Sequence, residues 1–393
     1  MPKSPTDLSP DVQRLVDAKF SIAIVEGQYL ILDNVPYVPT KGQIARAALI
    51  SPYSEVNGVA QVGNDHTVWF TGTIPCMADG TSLESAMVCE KTPQIVAGRQ
   101  TYCRFSNKPD PIGGMLDNFY NKMTHYVQKL QAYAQAVDET AFASTATGSF
   151  QRMHAKSVFH YTNTAIARAG LDVYDDKLKL KKVAIVGVGG TGSYILDAIA
   201  KTPIEEIHLY DDDVLDAGNA FRLPGALSKE QTERAIPKTQ HAQEVYSALR
   251  TGVISHPKRV DETNIQELDD CSFVFLAIDN GPSRGFIARY LCERRIRFVD
   301  VGLGVDKVPE LAQLIAKART TFVNRGGEHI VGTLPTADDK DDAIYNNIQL
   351  VELNALNAML AVIRYKQAIG FYSDEMNVDT SMYILPWTLI RHR

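Results

Sequence analysis

Between Ser21 and Phe105 the apolar residues come in short alternating or clustered runs, SIAIVEGQYLILDNVPYV, IARAALI, HTVWFTG and QTYCRF, separated by Gly, Pro, Asn and Asp. A period of two broken by turn residues predicts short strands in a mostly antiparallel sheet. Asp11 to about Phe20 reads as a short helix ahead of them. After Gly114 the period lengthens. Phe119, Met123, Tyr126, Val127, Leu130 and Tyr133 fall on one face of a helix, the pattern of a packing stripe. Residues 1–139 are therefore expected to form a small α+β domain.

The stretch TAFASTATGS (Thr140–Ser149) is small and polar, so residues 140–155 read as a linker. From there to residue 393 apolar strand-length runs alternate with helical ones. VAIVG, IHLYDDD, GVISHPKRV, SFVFLAI, RFVDVGLG and LAQLIAKA are the strands, and the segments between the first of them carry helical spacing. This alternation predicts a doubly wound, mainly parallel α/β sheet with helices on both faces, whose ligands bind at the carboxyl ends of the strands. A long helical run over Tyr345–Tyr372 and a strand-like tail, MYILPWTLIRHR, complete residues 156–393.

Composition narrows the function. At 393 residues the chain exceeds one ordinary core, and 45% hydrophobic with 22% charged residues describes a globular protein. A net charge of −6 provides neither a footprint for nucleic acid nor a polybasic membrane anchor. No apolar run has signal-peptide or membrane-spanning length, so a cytoplasmic protein is expected. The five cysteines contain no CxxC pair, which points away from disulfides and zinc.

The candidate chemistry begins at KKVAIVGVGGTGSYILDAIA. Gly187, Gly189, Gly190 and Gly192 lie between a strand and a helix, the arrangement that brings backbone N–H groups and a helix N-terminus to a nucleotide phosphate. Asp211 closes the next strand at the spacing of a ribose-binding acid. Downstream, Asn219 and Arg222 share the pattern NxxR, Lys238 follows Pro237, and Asp279 with Asn280 ends the strand SFVFLAI. Two cations, a glycine loop and a carboxylate suit a triphosphate with Mg²⁺ better than a dinucleotide, because a triphosphate carries more charge to neutralise.

The order GVGGTG, LYDDD, NxxR, PK and a strand ending in DN resembles the ThiF-type adenylyltransferase family, which includes the activating enzymes of ubiquitin-like proteins, over about Lys156–Arg393. The resemblance implies a Rossmann-like adenylation domain that commonly dimerises. It also implies ATP-dependent adenylation of the C-terminal carboxylate of a ubiquitin-like or sulfur-carrier protein ending in glycine. By matching position, Asp211 binds the ribose, Asn219, Arg222 and Lys238 the phosphates, and Asp279 the Mg²⁺. Arg222, Lys238 and Asp279 are the catalytic candidates. Asp213 and Asn280 join the nucleotide-binding set, Asp213 with a loop cap as its alternative.

Departures from the family pattern matter too. Asn163 stands where members place an arginine that reaches across a dimer, with Arg168 or Arg152 as substitutes. No cysteine follows Cys292, so a thioester acceptor is expected in a conjugating-enzyme-like partner or in the amino-terminal domain, where Cys76 in TGTIPCMADG is the internal candidate. That domain is similar to a poorly characterised one fused ahead of some bacterial ThiF-type proteins, and substrate or partner recognition is its expected role. An NAD-dependent oxidoreductase and a non-catalytic scaffold for nucleotide or a ubiquitin-like protein are the alternative readings.

Overall fold

A computed structural model describes residues 8–25, 28–56, 59–62, 65–108, 116–153, 157–161, 163, 171–336 and 348–392. The chain divides into two compact units, residues 1–157 with 161–173, and residues 158–160 with 174–393.

In the first unit, α1 (Pro10–Asp17) is followed by β1 (Ser21–Val25), β2 (Tyr29–Tyr37), β3 (Ala45–Pro52), β4 (Val68–Phe70), β5 (Val88–Glu90) and β6 (Cys103–Phe105). Then come α2 (Phe119–Gln135) and β7 (Ser149–Met153). The strands form one sheet in the order β7-β1-β2-β3-β4-β6-β5. Every pairing is antiparallel except β7 against β1. Composition reads Ser149–Met153 as linker, yet it is an edge strand of this sheet. Alternation sends Ile22, Ile24, Leu30 and Leu32 to a core shared with Met123, Tyr126 and Leu130 of α2. The opposite face buries Ile31, Ile50 and Trp69. Asn118 caps α2 by accepting from the Asn121 N–H at 2.8 Å.

In the second unit the order is β8 (Lys182–Val186), α3 (Gly190–Ile199), β9 (Glu206–Tyr210), α4 (Lys238–Tyr246), β10 (Val253–His256), β11 (Phe273–Leu276), α5 (Gly281–Glu293) and β12 (Phe298–Val308). β13 (Gln313–Val323), α6 (Val351–Ala368), β14 (Thr380–Ile384) and β15 (Leu389–His392) follow. The sheet runs β10-β9-β8-β11-β12-β13-β14-β15. The first five strands are parallel and the last three antiparallel. β8 and β11 are apolar throughout their interiors because both faces are covered. α3, α4 and α6 bury one face and α5 the other. The chain leaves β8 toward β9 and β10, then returns to place β11 on β8's other side, so the topology reverses between β8 and β11. That reversal opens a crevice at the carboxyl ends of those two strands.

Candidate functional site

The glycine loop follows β8. Gly187 has φ +91°, and a Cβ there would stand 2.4 Å from the Ala277 carbonyl oxygen. Its N–H donates to the Tyr210 carbonyl at 2.8 Å, which ties the loop to the end of β9. Gly192 is required for a different reason, since its missing Cβ would lie 1.9 Å from the Gly187 carbonyl oxygen. Gly190 faces the Asn354 side chain, whereas Gly189 has open space on its Cβ side. Gly189 is also the N-cap of α3 and has no side chain to cap it, which leaves the first-turn N–H groups and the positive helix end for an incoming anion.

Asp211 sits one residue beyond β9. Its carboxylate accepts from the Val188 N–H at 2.7 Å and the Asp213 N–H at 2.9 Å, so the acid shapes the loop as well as facing it. Burial raises its pKa above the usual carboxylate range, and those two backbone bonds together with Lys238 pull back against that rise. The side chain of Asp213 instead takes the Lys238 ammonium at 2.6 Å, and the Lys238 N–H donates to the Asp213 carbonyl at 3.0 Å. Lys238 is buried while its partner's carboxylate is largely exposed.

Asn219 is fully buried in a short 3₁₀ turn, Ala217–Phe221. Its Oδ1 accepts from the Asp216 N–H and its own N–H donates to the Asp216 carboxylate, both at 3.0 Å. Among the described residues Nδ2 has no partner, and neither has Nε of Arg222 three residues on. Asp279 is exposed just past β11, and its carboxylate makes no hydrogen bond or ion pair among the described residues. Asn280 caps α5 by accepting from the Ser283 N–H at 2.9 Å. Asp211, Asp212 and Asp213 bring carboxylate oxygens within 4.8 Å of one another.

Two features escaped the sequence reading. Asp300, fully buried on β12, takes Arg284 Nε at 3.0 Å and also pairs with Arg319 of β13. Arg284 in turn donates to the carbonyls of Ile278 and Pro335, which holds the approach to Asp279. The signal available was a lone acid inside the apolar strand FVDV. The second feature is Asn354 of α6, whose Oδ1 accepts from the Thr191 hydroxyl at 2.9 Å. An open cavity of 540 Å³ lies elsewhere, lined by Lys182, His208, Tyr210, His256, Lys258 and Glu267 among others. None of the predicted site residues lines it.

Of the arginines named as substitutes for one acting across a dimer, Arg152 lies on β7 with Glu55 at 3.6 Å, and Arg168 falls outside the described residues. Cys76 is half-buried, its Sγ donating to the Pro39 carbonyl at 3.6 Å. Cys103, Cys271 and Cys292 are buried, and burial pushes the first two thiols up to about 12.

A reversed α/β sheet with a glycine loop at its switch point is the architecture of a nucleotide-binding domain. Residues 160–308 match the ThiF family. Residues 10–164 match a domain of unknown function, DUF6791. Ubiquitin-like modifier-activating enzyme 5 of Xenopus laevis is 27% identical over 167 residues, covering 40% of this chain and 42% of the relative. Its Caenorhabditis elegans counterpart is 22% identical over 210 residues, covering 51% and 48%. The chain thus spans less than half the length of these curated relatives. Among solved structures, E. coli MccB with ATP is 19% identical over 59% of this chain and 71% of that one, with a TM-score of 0.46.

Proposed function

We propose that the second unit catalyses ATP-dependent adenylation of a carboxylate, that of the C-terminal glycine of a ubiquitin-like or sulfur-carrier protein. The observation that carries the reading is unspent hydrogen-bonding capacity beside an acid. The first turn of α3 has no side-chain cap, Asn219 Nδ2 and Arg222 Nε lack partners among the described residues, and Asp211 is held against the same loop. A buried donor left unpaired costs about 1–3 kcal/mol, and a polyphosphate supplies acceptors for all of them. The family match and the activating enzymes among the relatives support the same reading.

In this account Asp211 accepts from the ribose, and Asn219, Arg222 and Lys238 hold the phosphates, Lys238 being shared with the exposed Asp213. Asp279, unpaired at the mouth of the crevice, is the residue that would hold Mg²⁺, with Asn280 fixing the turn beside it. Mg²⁺ bound there supplies neutralisation of phosphate charge. The substrate carboxylate, already ionised at neutral pH, attacks the α-phosphorus. An O–P bond forms, the α–β bridging bond breaks, and its electron pair leaves on pyrophosphate. No general base is needed, so positioning and charge neutralisation by Arg222, Lys238 and the loop amides are sufficient.

We further propose a cytoplasmic homodimer in which the amino-terminal unit recognises the protein substrate or a conjugating-enzyme-like partner. The test is incubation of the chain with ATP, Mg²⁺ and a panel of ubiquitin-like proteins ending in glycine, followed by mass spectrometry for a substrate–AMP adduct. An adduct that requires the terminal glycine supports the assignment. Binding of NAD in preference to ATP would overturn it.

A further inference from the structure

Among the described residues, Asn354, Arg364 and Tyr365 of α6 each keep a buried polar atom without a partner, and of the three it is Asn354 that meets the glycine loop. Ala358 and Ala361 pack into the same core with no polar atom to satisfy. Asn357, also buried, is fully engaged, its Oδ1 accepting from Thr320 and its Nδ2 donating to the Gly302 carbonyl, both at 3.1 Å. Asn354 is only 2% exposed, yet its Nδ2 has no partner among the described residues. Its carboxamide fills the space where a Gly190 side chain would be, Nδ2 lying 2.4 Å from that Cβ position. Its Oδ1 holds the hydroxyl of Thr191, the next residue of α3. The orphan donor is thus directed at the first turn of a ten-residue helix whose N-cap carries no side chain.

We propose that Asn354 belongs to the nucleotide site: it positions Gly190 and Thr191 at the start of α3 and supplies, through Nδ2, one neutral donor for a phosphate oxygen. This rests on the nucleotide reading given above. A neutral donor suits the place, because it adds a hydrogen bond without another fixed cation beside Arg222 and Lys238. The arrangement also accounts for glycine at position 190, since any side chain there displaces the carboxamide. Replacing Asn354 by aspartate keeps the acceptor for Thr191 and turns the donor into a negative oxygen facing an anion.

The experiment is titration calorimetry of the full chain with MgATP and, separately, with adenosine, which lacks phosphates. Wild type is compared with Asn354→Asp and with Asn354→Ala, the second chosen because α6 already packs alanines at this interface. Asn354→Ala is expected to weaken ATP binding about tenfold, the scale of one lost hydrogen bond to a charged group, and Asn354→Asp by more than that, with adenosine affinity unchanged. ATP affinity within twofold of wild type in both variants overturns the inference. Equal losses for ATP and adenosine also overturn it, because they reveal a packing role alone. Failure of the wild-type protein to bind ATP overturns the nucleotide reading itself, and this inference with it.

Discussion

Replacing Gly192 by alanine adds one methyl group at a point where the structure has no room. The new carbon would lie 1.9 Å from the Gly187 carbonyl oxygen, whereas ordinary contact begins at 3.4 Å. The first turn of α3 and the glycine turn must therefore separate by about 1.5 Å, the difference between those two distances. Neither side yields easily. Gly187 is itself pinned by its left-handed φ, by the Tyr210 carbonyl and by the backbone at Ala277. Overpacking of this kind costs about 1–3 kcal/mol, equivalent to a fall in melting temperature of about 2–4 °C per kcal/mol for a domain of this size. Gly189→Ala is the control for melting, since its Cβ meets nothing within 4 Å of the protein and only the N-cap preference of at most about 1 kcal/mol is lost. Calorimetric melting of both variants and ATP titration of Gly192→Ala decide the matter. Gly192→Ala is expected to melt lower and lose ATP affinity. A Gly192→Ala protein with wild-type melting and wild-type affinity refutes the claim that this close approach sets the loop.

Other consequences are equally open to measurement. Arg284→Met leaves Asp300 fully buried with Arg319 alone, so urea unfolding should show about 1.5–3 kcal/mol less stability, the worth of a hydrogen bond to a charged group, and an unchanged midpoint contradicts the role given to that ion group. Burial is the largest cause of lowered pKa values at His66, His125, His241 and His256. A base whose pKa falls on folding binds its proton better when unfolded, so melting temperature should drop as pH is lowered through about 6.5 and recover as it rises. His256→Asn should flatten that dependence, and a profile as steep as wild type would count against it. The raised pKa of Asp211 has its own signature, because the carboxylate is lost at higher pH than an ordinary aspartate. ATP affinity should then weaken on acidification before exposed carboxylates titrate, and Asp211→Asn should remove that step. Finally, a thioester on the amino-terminal unit would appear as an adduct sensitive to reducing agent and absent in Cys76→Ala; an adduct that persists excludes this thiol.

Much of the second unit was legible because its signals are local. Val183–Val186 is apolar on both faces, Gly187 and Gly192 mark a turn with no room for a Cβ, and Asp211 and Asp279 each close a strand, so periodicity alone places them at one sheet edge. The resemblance to the ThiF family added roles that spacing does not contain. What escaped depends on residues far apart in sequence. Asp300 meets Arg284 and Arg319 only once β12 and β13 pair, and Asn354 reaches Gly190 across a separation of more than half this unit. The polar composition of Thr140–Ser149 suggested a linker, but pairing of Ser149–Met153 with β1 is a tertiary choice that overrides it. Asn280 and Asp213, placed by pattern in the ligand set, are engaged by the Ser283 N–H and by Lys238 in this structure.

Adenylation at this crevice is reversible, so exchange of labelled pyrophosphate into ATP reports it. With Mg²⁺ and a cognate protein ending in glycine, the wild-type chain should catalyse exchange, and Asp279→Ala should abolish it while leaving the melting curve unchanged. No exchange by the wild-type chain with a verified cognate partner would contradict the account.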